Sequence, residues 1–257
     1  MQVYGDLRIL TARPNETDTA RVPHHLFGVA DAAEAWSVGR WLGAARGVLA
    51  DIAARRRPAF VVGGTGLYFR ALTHGLAETP QIPAVARAES QSLYDDLGET
   101  DFRARLATAD AAAAARIAPG DRQRLTRALE VHLATGRSLS DWQAATTPTL
   151  PAATWRGLVL EPHRAALYDR CDSRLVAMID HGALDEVARL AARDLDPRLP
   201  AMKALGVVPF AAQLKGELSP AAALTQAQAD TRHYAKRQLT WFRNQTPDWP
   251  RAMAATP

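Results

Sequence analysis

Residues 1–35 show little hydrophobic period and are broken by Pro14 and Pro23, so they read as irregular chain. A helical pattern then sets in. Ser37 stands where an N-cap belongs, and Val38, Trp41, Leu42, Ala45, Val48, Leu49 and Ile52 recur at the three- and four-residue spacing of one helix face. Arg55, Arg56 and Arg57 close that helix before Pro58, at the end where cations stabilise the helix dipole. The short apolar run Ala59–Phe60–Val61–Val62 follows and ends in Gly63–Gly64, which predicts a buried strand turning into a helix near Thr65. Helix, buried strand, glycine turn and helix together are the rhythm of a parallel α/β sheet.

Between Ile82 and Thr147 the period is helical throughout and no strand pattern interrupts it. Asp121 caps a helix with Leu125, Ala128, Leu129 and His132 on its apolar side, and Gly136 ends it. Pro148 and Pro151 mark a boundary, after which Gly157–Leu160 reads as another short buried strand and residues 164–245 as mostly helical. The expected organisation is an α/β core with C-terminal helices, residues 1–81 and 151–257, carrying an all-helical insertion over residues 82–150.

With 257 residues, nearly half of them apolar, the chain can bury a substantial core. No apolar run approaches the ~18 residues of a membrane span, and the N-terminus lacks a secretory pattern, so no membrane association and a cytoplasmic location are expected. One cysteine, Cys171, excludes a disulfide framework and a Cys-based zinc site. The adjacent pair His24–His25 has no third ligand at a suitable spacing, so no metal-ligating set is assigned. The formal charge of +4 favours an acidic partner, although arginine so outnumbers lysine that base composition accounts for part of the bias. None of the three lysines, Lys203, Lys215 and Lys236, stands in a GxxxxGK[ST] setting, so a Walker-type loop is absent from this sequence.

Three segments carry candidate chemistry. Gly63–Gly64–Thr65–Gly66 offers backbone N–H groups and a hydroxyl at a helix start, an arrangement that binds anions and that also occurs as a plain tight turn. Gln123, Arg124 and Arg127 can share one helix face, suited to phosphate and base-edge contacts in RNA or simply to solvation. From Thr231 to Arg243, the positions of Arg232, Lys236 and Arg243 fall within roughly 40° around the helix axis. That basic stripe suits phosphate contacts or, again, a solvated face, while Tyr234, Trp241 and Phe242 are expected to point inward.

Taken in order, Met1–Tyr4, Thr11–Pro14, Pro23–Leu26, Val62–Tyr68, Ala115–Ile117, Gln123–Val131, Lys203–Val207 and Tyr234–Arg243 resemble the tRNA dimethylallyltransferases, also called tRNA isopentenyltransferases. The resemblance covers essentially the whole chain. It implies a P-loop NTPase-like, nucleotide-binding α/β core with a helical insertion, acting as a monomer on tRNA. The implied reaction moves a dimethylallyl group from dimethylallyl diphosphate to N6 of adenine 37, beside the anticodon, with Mg²⁺ as cofactor.

By position, the resemblance makes Gln2 a contact of the target nucleotide and places Thr65 beside the reacting centre and the tRNA. It makes Arg87 a tRNA neighbour, and Gln123, Arg124, Leu125, Thr126 and Arg127 a tRNA-contacting segment. Arg232, Lys236, Arg237 and Arg243 belong to a second such segment. Gly63, Gly64 and Lys203 are implied at the diphosphate, with His24 and Lys203 as further catalytic candidates. Val207 and Val208 depart from relatives that carry an aromatic and a basic residue there.

Met1 falls inside the family's D-S-x-Q motif, so the N-terminal strand, the P-loop, the Mg²⁺ ligand and a base aspartate would all lie upstream of residue 1. The chain as written is accordingly expected to be unstable or inactive as a transferase. Two alternatives remain at this point: a catalytically dead tRNA-binding paralogue, and a P-loop kinase relative acting on a small molecule.

Overall fold

The computed structural model describes residues 1–253. In chain order the elements are α1 (Glu16–Arg21), α2 (Val38–Ala54), α3 (Gly66–His74), α4 (Ala84–Ala109), α5 (Ala111–Arg116), α6 (Arg122–Thr135), α7 (Leu139–Ala144), β1 (Val159–Leu160), α8 (Arg164–Asp180), α9 (Ala183–Ala191), α10 (Val207–Leu214), α11 (Pro220–Gln245) and β2 (Arg251–Ala252). The chain divides into two compact units, one of residues 1–68 and 155–257, the other of residues 69–154. The second therefore begins thirteen positions before the expected 82.

Several helix boundaries follow from side-chain capping. Ser37 accepts a hydrogen bond from the Arg40 N–H at 3.1 Å and starts α2, whose Leu42 and Ala45 are buried. Asp121 accepts from the Arg124 N–H at 3.1 Å and starts α6. Gly136 ends α6 in the left-handed region at φ 68°, where its N–H reaches the His132 carbonyl at 2.8 Å. A side chain there would strain the backbone, so glycine is the economical stop.

The first unit is helix-rich, with little sheet. β1 and β2 pair in parallel, Val159 against Arg251 and Leu160 against Ala252, and a single parallel bridge joins Tyr4 to Ala30. Its core gathers Tyr4, Leu7 and Leu10 from the irregular N-terminal chain with Leu175, Val187, Leu190, Phe210 and Ala227 from α8 to α11. The expected P-loop-like parallel sheet is corrected on one point in particular. Ala59–Val62 forms no strand, and Phe60 and Val62 are 86% and 89% exposed. A strand stands only where a neighbour takes up its backbone hydrogen bonds, and none among the described residues pairs with this run. The second expected strand is present as β1 but is buried on one side only, through Val159; Leu158 and Leu160 remain exposed.

The second unit is all helical. Phe102, Leu106, Ile117, Leu125, Ala128 and Leu129 form its main core, where α4 packs on α6. Ser90 reinforces that contact from a fully buried position, its hydroxyl donating to the Thr126 carbonyl at 2.9 Å. Among the described residues no helix is long and apolar enough to cross a membrane.

Candidate functional site

In the first unit the glycine-rich turn rests on α11. Tyr234, Gln238 and Trp241 are spaced i, i+4 and i+7, which puts them on one face of the helix. Thr65 Oγ1 lies 3.0 Å from the Tyr234 hydroxyl. A Cβ added at Gly64 would come within 2.1 Å of the Gln238 amide nitrogen, and one at Gly66 within 2.1 Å of the Trp241 indole. The glycines thus admit the helix's side chains to the backbone of the turn. Thr65, held between them, presents a hydroxyl at the start of α3, where unpaired N–H groups favour an anion.

Tyr68 follows in the first turn of α3 and stacks on Trp41 of α2, with ring centroids 4.5 Å apart and planes 10° from parallel. Burial pushes its phenol pKa up, and the neighbouring phenols of Tyr4 and Tyr234 add to the effect. The phenol therefore stays neutral and the wall of the turn stays uncharged. Removing the Tyr234 hydroxyl isolates the tie to Thr65: Tyr234→Phe should lower stability by about 1 kcal/mol, as expected for one hydrogen bond. Denaturant unfolding of the two proteins checks this.

The adjacent face of α11 forms a groove of about 490 Å³ lined by His233, Lys236, Arg237, Thr240, Trp241, Asn244 and Gln245. The lining includes Lys236 and Arg237 and no carboxylate. Arg237 lies over the Tyr234 ring, 5.7 Å from its centroid. Trp241, expected as core, instead belongs both to this groove and to the support of the glycine turn. Arg232 does not join Lys236 in it. Its guanidinium is 2.6 and 2.7 Å from the two carboxylate oxygens of Asp172, which ties α11 to α8. Arg243 is exposed and lies outside the groove lining.

The second unit has its own groove, about 630 Å³, between α4 and α6. Arg87, Gln91, Gln123, Arg124, Thr126 and Arg127 line it together with Asp121 and Glu130. Each α6 arginine that lines it has a carboxylate partner, Asp121 at 2.8 Å from Arg124 and Glu130 at 3.3 Å from Arg127. Arg127 also reaches Thr79 Oγ1 at 3.3 Å. Leu125 does not face the groove; it is fully buried in the core beneath it. Thr126 is nearly buried, and its hydroxyl donates back to the Arg122 carbonyl at 3.0 Å.

Three sequence candidates have different surroundings. Gln2 is half-buried, and its Nε2 donates to the carbonyls of Thr11 at 3.0 Å and Ala12 at 3.1 Å. His24 is exposed, with Nδ1 2.7 Å from the Val22 carbonyl and its ring edge-on to Phe27, so its contacts are local. Lys203 is exposed at the end of the 3₁₀ turn Ala201–Lys203. Asp196, whose carboxyl is held down to about 2 chiefly by hydrogen bonds from Arg198, also feels the Lys203 charge. Among the described residues no group of three His, Cys, Asp or Glu side chains could hold a metal ion.

The sequence reading missed Tyr234, Gln238 and Trp241 as supports of the turn, although their i, i+4, i+7 spacing was available. It also missed Trp41, which no local pattern links to Tyr68.

Residues 2–245 match the family model described as IPP transferase. The tRNA dimethylallyltransferase of Caulobacter sp. (strain K31) is 60% identical over 257 residues, covering 100% of this chain and 83% of that protein. The protein of the same name from Phenylobacterium zucineum is 60% identical over 254 residues, covering 99% of this chain and 82% of its own length. Among solved structures, the full-length tRNA isopentenylpyrophosphate transferase of Bacillus halodurans aligns with a TM-score of 0.67 at 30% identity, over 98% of this chain and 78% of that one. A eukaryotic dimethylallyltransferase acting on tRNA aligns with a TM-score of 0.77 at 26% identity, over 94% of this chain and 61% of that one.

Proposed function

The chain belongs to the IPP transferase family, and we propose, against the expectation of an inactive chain, that it transfers a dimethylallyl group from dimethylallyl diphosphate to N6 of adenine 37 of tRNA. The observation that carries the reading is the Gly63–Gly66 turn held against Tyr234, Gln238 and Trp241, beside the basic groove of the same helix. In the transfer, the N6–C1 bond forms, the C1–O bond to diphosphate breaks, and N6 gives up a proton to solvent water. Negative charge therefore grows on the departing oxygen. Donors fixed in advance around that oxygen lower the barrier, and the turn's N–H groups with the Thr65 hydroxyl are suited to this. Mg²⁺ would neutralise diphosphate charge if bound, and none of these roles is assigned to it.

Recognition of the RNA is assigned to two surfaces. Lys236 and Arg237 supply charge without a competing carboxylate, and Trp241 supplies a face on which a base can stack. Arg87, Arg124 and Arg127 act in the groove of the other unit, where Asp121 and Glu130 partly offset them. This ranking predicts the salt dependence. Lys236→Ala and Arg237→Ala should each flatten the slope of log affinity against log salt by about 0.7–0.9, one phosphate contact apiece. Arg232→Ala, which breaks a pair with Asp172 instead, should leave the slope alone. Filter binding of tRNA over a salt series separates these outcomes.

The function itself is tested by incubating the chain with tRNA and labelled dimethylallyl diphosphate and mapping any modified base. Label on N6 of adenine 37 supports the reading. Binding of tRNA without label supports a tRNA-binding protein instead, and the absence of both overturns the assignment of the grooves.

A further inference from the structure

Glu186 lies in the first turn of α9, is 3% exposed, and is absent from every group discussed so far. Its Oε2 accepts hydrogen bonds from the backbone N–H groups of Arg8 at 2.7 Å and Ile9 at 2.8 Å, and its Oε1 from that of Leu10 at 3.0 Å. One buried carboxylate thus takes up three consecutive donors of a segment some 176 residues away in sequence. Such charge-assisted bonds are short and strong, and they fix backbone rather than side chain.

What they fix is a turn with little freedom. The Ala12 N–H donates to the Ile9 carbonyl at 2.9 Å and the Arg13 N–H to the Arg8 carbonyl at 3.0 Å. The Thr11 hydroxyl donates to the Leu7 carbonyl at 2.7 Å. Ala12 sits in the left-handed region at φ 48°, a conformation that costs a non-glycine residue energy and persists only where its surroundings impose it. The carbonyls of Thr11 and Ala12 both accept from the Gln2 amide nitrogen. A flipped amide would set oxygen against two carbonyl oxygens, so the orientation is fixed. Oε1 of Gln2 is left to accept, which is the complement of an exocyclic amine.

We propose that Glu186 is a positioning residue for Gln2: by clamping the amides of residues 8–10 it aligns the carbonyls that lock the Gln2 amide with its oxygen toward the adenine N6 amine. This rests on the proposed function, in which Gln2 contacts the target base. It assigns selection of an amino purine over an oxo purine to a carboxylate that never touches RNA.

The test compares the dissociation constants of the full chain for two anticodon stem-loop RNAs, one with adenine and one with hypoxanthine at the target position, since hypoxanthine has no N6 amine to be modified. Glu186→Gln keeps the volume but offers one acceptor and an amide that opposes the backbone donors. It should reduce the preference for adenine about tenfold, one hydrogen bond's worth, while hydrogen exchange accelerates in the peptide covering residues 8–10. Gln2→Ala should reduce the preference equally, and the double variant should lose no more than either. Glu186→Asp, which retains the charge, should recover part of both effects and serves if the glutamine variant does not fold. A preference kept within twofold in Glu186→Gln while Gln2→Ala loses it, or losses that multiply in the double variant, would overturn the positioning role alone. An unchanged preference in Gln2→Ala would remove the assigned role of Gln2 and the inference with it.

Discussion

Thr65→Val lowers kcat by about a hundredfold or more while the affinity for tRNA changes little. Valine keeps the branched shape at the turn, so the seating of Gly64 on Gln238 and of Gly66 on Trp241 survives, while the hydroxyl and its bond to Tyr234 are lost. The scale is that of deleting one preorganised donor from the site where transition-state charge develops, ~10²–10³ in rate. Thr65→Ser, which keeps the hydroxyl, should recover most of the activity. Steady-state kinetics with labelled dimethylallyl diphosphate read both variants. A Thr65→Val enzyme within threefold of the parent would mean that the hydroxyl does not face the leaving group.

Gly66→Ala should strongly destabilise the first unit. The added Cβ would stand 2.1 Å from two indole carbons of Trp241, and a ring fused into a packed helix face cannot yield as a side-chain tip can. Overpacking of this kind costs about 1–3 kcal/mol. At ~2–4 °C of melting temperature per kcal/mol for domains of 150–250 residues, calorimetry resolves it. Gly64→Ala should be milder, since its clash is with the flexible end of Gln238. The mechanism makes a sharper demand: adding Trp241→Leu to Gly66→Ala should restore stability, the two changes being far from additive. If the double variant is instead less stable than Gly66→Ala by the full cost of Trp241→Leu alone, the indole is not what excludes the methyl.

The elements legible in the sequence were those specified by near neighbours. Ser37 and Asp121 cap helices through N–H groups three positions on, and Gly136 ends one through a bond four positions back. Each signal is contained within one turn of chain. The run Ala59–Val62 shows the limit, because an apolar segment becomes a strand only beside another strand, and its own letters do not name the partner. Trp241 shows another limit. Helical periodicity set it apart from the basic stripe as core, but whether the side chain meets a core, a groove or a glycine turn depends on how closely a distant backbone approaches. Leu125 and Arg232 sat in segments matched as blocks, and burial and the Asp172 carboxylate single them out from their neighbours. Glu186 left no trace beyond an acid in the first turn of an amphipathic helix, an ordinary feature whose target lies at the other end of the chain.

The seating of the glycine turn on Tyr234, Gln238 and Trp241 also determines which kinds of genetic change α11 can absorb. Each α-helical residue advances the face by 100°. A substitution at Lys236 or Thr240 alters one position and leaves the helix's phase intact. A single-codon insertion between Tyr234 and Gln238 would rotate every later side chain by that angle, carrying Gln238 and Trp241 away from the turn together and turning the groove lining with them. Drift in this helix is thus open to replacement and closed to changes of length.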